Sequence, residues 1–147
     1  MADLTGFATK DKADEGVILP VKIDGVKLPL AIKVYGSDSD VVREYERKRI
    51  RNMHLGKNGK NAPDEEDMEN LLDTIDEAVL IRMGGIYAYD WKKKKVIEGE
   101  ETKIGSRVLN NNRESYEYLI EKLPAIKDWV TTNSNNRGNF LSEGKKN

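Results

Sequence analysis

From Val17 to Tyr35 apolar and polar residues alternate: Val17, Leu19, Val21 and Ile23, then Val26, Leu28, Leu30, Ile32 and Val34. A period of two in β-branched and aliphatic residues predicts half-buried strands. The dipeptide Asp24-Gly25 between the two runs predicts a tight hairpin, because both residues tolerate the positive φ that such turns require. Pro20 and Pro29 have no N–H to give to a ladder, so each is expected at an edge, an end or a bulge. Residues 1–16 are polar and mixed, punctuated by Gly6 and Gly16, and predict a flexible arm anchored at most by Phe7.

Beyond Gly36 the period changes. Ser37 followed by Asp40 has capping-box spacing and predicts a helix start. Val41, Val42, Tyr45, Ile50 and Met53 form an imperfect apolar stripe on that helix, and Arg43, Arg47, Lys48, Arg49 and Arg51 make the remainder basic. Residues 56–62, rich in Gly, Lys and Asn, predict a loop. Pro63 followed by four acids predicts a second helix, since proline suits the first turn and carboxylates complement the dipole there. Met68, Leu71, Leu72, Ile75, Ala78 and Val79 continue it at helical spacing, with Arg82 or Met83 as its last member, and Gly84-Gly85 is its expected stop. Ile86–Asp90 and Val96–Ile97 read as short strands around the lysines 92–95. Asn110–Asn112 offer caps for a helix through Tyr116, Leu119 and Ile120, with Asn111 and Glu114 at capping-box spacing. Pro124 then opens a helix with Ile126, Trp129 and Val130 on one face. Residues 133–138 read as a polar loop, Phe140 and Leu141 as an apolar anchor, and 142–147 as a frayed tail. The pattern predicts one α+β domain over 17–141, an N-terminal β-hairpin followed by a mainly helical remainder with room for a second short hairpin.

The length of 147 residues fits one such domain. Its 25 basic and 26 acidic residues leave a net charge of −1, so no global field steers it to nucleic acid or membrane, and weak repulsion makes self-association easier. The absence of cysteine removes disulfides, thiolate nucleophiles and sulfur-bound zinc, and fits a reducing compartment. Uninterrupted apolar runs reach only four residues, as in Ala78–Ile81, far from the ~20 needed to span a bilayer. Met1–Lys12 has no basic head before an apolar core, which predicts no secretory signal.

Candidate chemistry is sparse. His54 is the one histidine and lies in a basic stretch, and no Gly-x-Ser-x-Gly nucleophile motif is present. Gly56-Lys57-Asn58-Gly59-Lys60 lacks the spacing of a phosphate-cradling loop. Asp64–Asp67 lacks the spaced ligands and central glycine of a calcium loop, and helix capping accounts for it. The expectation is a protein without catalytic, cofactor-binding or metal-ligating residues.

The charge blocks carry more information: Arg43–Lys60 sums to +5 and Asp64–Glu77 to −8. These blocks either relieve one another within the monomer or meet between copies, where complementary fields set register. The second reading assigns self-association to Arg43, Arg47, Lys48 and Arg51 against Asp64, Glu65, Glu66 and Glu69. A separate alternative is nucleic-acid binding by the basic 43–60 surface and by Lys92–Lys95 near Tyr87, Tyr89 and Trp91. Clustered cations hold phosphates and aromatic rings stack on single-stranded bases.

The segments Leu28-Pro29-Leu30-Ala31-Ile32-Lys33-Val34 with Gly36-Ser37-Asp38-Ser39-Asp40, Asn111-Asn112-Arg113, Leu123–Val130 and Asn136-Arg137-Gly138-Asn139-Phe140-Leu141 resemble tail assembly chaperones of long-tailed bacteriophages and related prophages. The middle departs from the family pattern: Gly84-Gly85-Ile86-Tyr87 stands where a tryptophan and glycine often follow the long helix, and Trp91 lies downstream. The resemblance implies a non-catalytic protein of the host cytoplasm, absent from the finished virion. It would bind the tape measure protein, help tail tube protein polymerise around it, and act as an oligomer. It also implies a longer frameshifted product, with which Lys145-Lys146 is compatible. Trp129, Arg137, Phe140 and Leu141 are the region expected to matter, either docking the C-terminus on the core or presenting it as a partner-binding surface. The competing readings are a nucleic-acid-binding protein and a structural head-to-tail connector of the virion.

Overall fold

The computed structural model describes residues 3–55 and 75–141, with the side chains of 52–55 outside that description. The alternating run folds as expected into β1 (Val17–Ile23) and β2 (Val26–Val34). The turn between them holds Asp24 at φ 51° and Gly25 at φ 81°, the left-handed pair whose twist matches the strands it joins. Val21, Leu30, Ile32 and Val34 are buried, so the register is pinned by one face of the hairpin. Both prolines sit where no ladder bond is lost. Pro20 lies on an edge strand at a register shift, and Pro29 falls in the stretch of β2 opposite that shift, which pairs with neither neighbour.

The hairpin is not the first element. A short 3₁₀ turn, Thr5–Phe7, precedes helix α1 (Lys10–Glu15), and Ala13 is 1% exposed within the core. The arm expected over 1–16 is therefore corrected from Lys10 onward, and the packed unit begins before residue 17. Its expected anchor is corrected too, since Phe7 is 70% exposed and the small methyl of Ala13 is what enters the core.

Helix α2 (Asp40–Leu55) follows the predicted course, but its cap is Ser39 rather than Ser37. The Ser39 hydroxyl accepts from Val42 N at 3.3 Å and its carbonyl from Arg43 N at 3.0 Å. Residues 75–80 are helical (α3), and the proposed start of that helix at 63–74 lies outside the described residues. Gly84-Gly85 does not stop α3. Two turn residues intervene, and both glycines lie within strand β3 (Met83–Asp90), whose Met83, Ile86 and Ala88 are buried. Strand β4 (Lys95–Val96) pairs with the end of β3 around a turn at 91–94, which gives the second hairpin. The four strands form an antiparallel sheet in the order β1-β2-β3-β4. A separate ribbon of β5 (Thr102–Ile104) and β6 (Arg107–Leu109) was not anticipated. The remainder after the first hairpin is thus mixed rather than mainly helical.

Helix α4 (Arg113–Lys122) and helix α5 (Ala125–Asn135) meet at Pro124 as predicted. The cap of α4 is Asn112, the last of the three candidate asparagines and one residue beyond the Asn111 of the capping-box spacing. Its Oδ1 accepts from Ser115 N at 2.9 Å, and the Ser115 hydroxyl accepts from Asn110 N at 2.8 Å. Asn111 instead accepts from Ile86 N at 2.7 Å and ties the helix entry to β3. Leu119 and Ile120 of α4 and Ile126 and Val130 of α5 pack with the buried sheet residues into one core. Fully burying an aliphatic side chain is worth about 1.5–3 kcal/mol, so these four anchor both helices. Helix α5 runs on to Asn135 and a 3₁₀ turn, Arg137–Phe140, follows it, so the two together replace most of the polar loop expected over 133–138.

Candidate functional site

Three regions of the described structure hold the residues singled out from the sequence. The first is the C-terminal turn. Gly36 N donates to Ala13 O at 3.1 Å and Ser37 N to Ser134 O at 2.9 Å, while the Ser134 hydroxyl donates to Tyr35 O at 2.7 Å. These bonds seat the end of α5 on the connection between β2 and α2. Arg137 then donates from Nε and Nη2 to the two carboxylate oxygens of Asp38, each at 2.9 Å, and Thr9 Oγ1 donates to the same carboxylate. A planar fork on a carboxylate is the strongest geometry available to such a pair. The Arg137 guanidinium, followed by the Thr9 hydroxyl, holds the Asp38 carboxyl at about 2, below its ordinary 3.8.

Phe140 completes this latch. Its ring is 1% exposed, and a Cβ on Gly36 would stand 3.1 Å from its Cε2 and 2.7 Å from Ala13 Cβ. Gly36 is therefore a close-approach position, where the missing side chain lets the ring and α1 come together. Of the two readings of this region, Phe140 follows the first: it is a core side chain that anchors the C-terminus, and it does not face a partner. Leu141 is half-buried, Trp129 is half-buried against the core, and Arg137 is exposed but engaged by Asp38.

The second region is α2. Of residues 40–51 only Val42 is buried, and Tyr45 and Glu46 are half-buried. Arg43, Arg47, Lys48 and Arg51 are exposed, as are Val41 and Ile50. Arg47 pairs with Glu44 at 2.9 Å and Arg49 with Glu46 at 2.8 Å, so the basic block is partly neutralised along its own surface. Glu46 also lies 3.5 Å from Arg82, which is 7% exposed and donates to Ala78 O at 2.6 Å. Arg82 Nε has no hydrogen-bond partner among the described residues. A buried guanidinium at the end of α3 thus tethers α2, a role that its place in a helical stripe did not disclose.

The third region is a cleft of about 620 Å³ between α3, α4 and α5. Leu80, Ile120 and Pro124 line it beneath a rim of Asp76, Glu77, Arg113, Glu117, Glu121 and Lys127. Arg113 bridges Glu77 at 2.6 Å and Glu117 at 2.9 Å, and Lys127 meets Asp76 at 2.9 Å. The carboxylates beside Arg113, Glu77 foremost, raise its pKa. Asp76 and Glu77 close the acidic block of the sequence, and their partners come from α4 and α5 rather than from α2. Within the described residues the end of that block is therefore relieved inside the monomer. Asp64, Glu65, Glu66 and Glu69, assigned to self-association, lie outside the described residues, as does the glycine-lysine loop at 56–60.

Among the described residues no helix is long and apolar enough to cross a membrane, and no group of three or more His, Cys, Asp or Glu is arranged to hold a metal ion. Set against known protein families, curated proteins and solved structures, the chain matches none of them.

Proposed function

We propose that the protein is an assembly chaperone that acts by covering a helical partner, the tape measure protein of a long-tailed phage being the partner that the resemblance of its motifs suggests. The observation that carries this reading is α2. It is a sixteen-residue helix of which, over residues 40–51, a single side chain is buried. A helix that over these twelve residues buries one side chain and half-buries two gains little from packing on its own core, and an isolated helix of this length is marginal in water. A partner lying along the face of Ile50, which is 51% exposed, would bury that side chain and meet Arg43 and Arg47, seven and three residues before it on the same face. Many weak copies arrayed on one long apolar-faced helix would keep it soluble through effective concentration rather than through tight single contacts.

Self-association along the exposed cations Arg43, Arg47, Lys48 and Arg51 belongs to the same proposal. The test is co-expression with the candidate tape measure protein. Co-purification and retention of that protein in the soluble fraction are expected, and both should fall when Ile50→Asp and Arg47→Glu are combined. Unchanged aggregation of the tape measure protein without co-purification would overturn the proposal. Stoichiometric recovery of the chain in purified particles would also overturn it and point to a head-to-tail connector.

A further inference from the structure

The antiparallel order brings two turns to the same end of the sheet. Strand β1 runs into the Asp24-Gly25 turn and β3 into the turn at 91–94, and β2, between them, pairs with both. Trp91 joins the two ends: its Nε1 donates to Leu28 O at 2.6 Å, and Lys27 Nζ lies 5.3 Å from the centre of its ring. Tyr89 meets the same indole edge to face at 5.3 Å. Lys22, Lys27 and Lys92–Lys95 therefore share one end of the sheet with a half-buried aromatic pair, and with Asp24 and Asp90 they leave a local charge of +4. Among the described residues none of the six lysines makes an ion pair.

Two features here run against local preference. Lys22 and Lys27 are direct cross-strand partners, a like-charge pairing that weakens a sheet. Lys94 adopts φ 56°, a left-handed conformation normally given to Gly or Asn. Asp90 is turned inward, its Oδ1 accepting from Lys92 N at 2.9 Å and Lys93 N at 3.2 Å, which shapes the turn and leaves the lysine ammoniums pointing to solvent. Violations of local rules that gather in one place are expected where a ligand compensates them.

We infer that this lysine rim binds single-stranded nucleic acid, with the phosphates on Lys27 and Lys92–Lys95 and a base stacked at Tyr89 and Trp91. Lysine clusters alone would serve any polyanion. The aromatic pair within the cluster selects a strand with unpaired bases, because every base has a face to stack and a duplex hides it.

The test is fluorescence anisotropy of a labelled 20-nucleotide oligothymidylate titrated with the full chain at several salt concentrations. Binding is expected at low salt, with a log–log salt slope of about −2 to −3, as three or four neutralised phosphates would give. Combining Lys93→Glu with Lys94→Glu, both exposed, should weaken binding at least tenfold and flatten the slope. Reversing Arg47 and Lys48 on α2 should leave it within twofold. Absence of binding at low salt, or binding undiminished by the turn variant, would overturn the inference. Equal affinity for polyglutamate, for duplex DNA or for anionic phosphatidylserine vesicles would overturn it as well, since each lacks the exposed bases on which the inference depends.

Discussion

Replacing Phe140 with alanine distinguishes a C-terminus that is docked from one that is presented. The ring is 1% exposed and packs in the core that holds Ile32, Val34, Ile126 and Val130. Truncating a buried phenylalanine costs about 3–5 kcal/mol, from lost transfer energy and from the cavity left behind. Because Phe140 belongs to the terminal turn, the chain beyond Asn136 can settle partly into the space, which places the expected loss near 3 kcal/mol, the low end of that range. In a chain of about this size each kcal/mol moves the thermal midpoint by about 2–4 °C, so a fall of roughly 6–12 °C is expected. Thermal unfolding followed by circular dichroism would show it, and a urea titration should give a lower midpoint at unchanged slope. Leu141→Ala, at a half-buried position, is expected to cost under about 1.5 kcal/mol. If Phe140→Ala leaves the midpoint within about 1 °C while weakening association with a partner, the docked assignment fails.

Three further outcomes follow from the same geometry. Asn112→Ala removes the acceptor for Ser115 N and should cost about 1 kcal/mol, with Asn112→Asp or Asn112→Ser recovering most of it in the same melt. Gly36→Ala places a methyl 2.7 Å from Ala13 Cβ and 3.2 Å from Ala13 Cα, where backbone must yield, and should cost about 1–3 kcal/mol. Its effect should shrink in a Phe140→Ala background, because part of the clash is with that ring, and a double-mutant cycle measures the difference. Asp38 sets an acid dependence. Its carboxyl is held at about 2 in the fold against 3.8 in the free chain, so the unfolded state takes up the proton first. The stabilisation is whole above about pH 4 and disappears as the pH falls to about 2, and Asp38→Asn should flatten urea midpoints across that window.

How much of this was legible depended on the reach of each determinant along the chain. The first hairpin needed only a period of two and an Asp-Gly turn, and the corner between α4 and α5 needed only Pro124 and nearby asparagines. Elements of three residues, such as Thr102–Ile104 and Arg107–Leu109, are too short for any period to show, and α1 buries one alanine in six otherwise half-buried or exposed residues. Gly84-Gly85 misled for a tertiary reason. A Cβ on Gly84 would stand 2.8 Å from Tyr35 Cζ, and one on Gly85 2.6 Å from the Tyr87 hydroxyl. The pair is there so that two aromatic rings can lie against a strand, and it carries no helix-stop signal in that setting. The cap errors at Ser37 and Asn111 are one- or two-residue shifts, which pattern alone does not resolve.

The Asp38–Arg137 latch spans 99 positions, and nothing local in either segment announces the other. It nevertheless changes what the family resemblance is worth as a guide to binding. Two of the motifs that carry that resemblance, Gly36–Asp40 and Asn136–Leu141, contact each other through Arg137 on Asp38 and through Phe140 above Gly36. Residues that hold two ends of this chain together serve its fold whatever the chain binds, so these motifs speak first to architecture. Surfaces that the fold itself does not use are the better place to look for a partner. The exposed length of α2 and the lysine rim at the turns are such surfaces. Each departs from what stability alone would choose: α2 by leaving Ile50 in solvent, and the rim by setting Lys22 opposite Lys27. Binding of each partner that survives disruption of the latch in proportion to the remaining folded fraction, yet is lost on changing the one surface assigned to that partner, is the behaviour this division of roles requires.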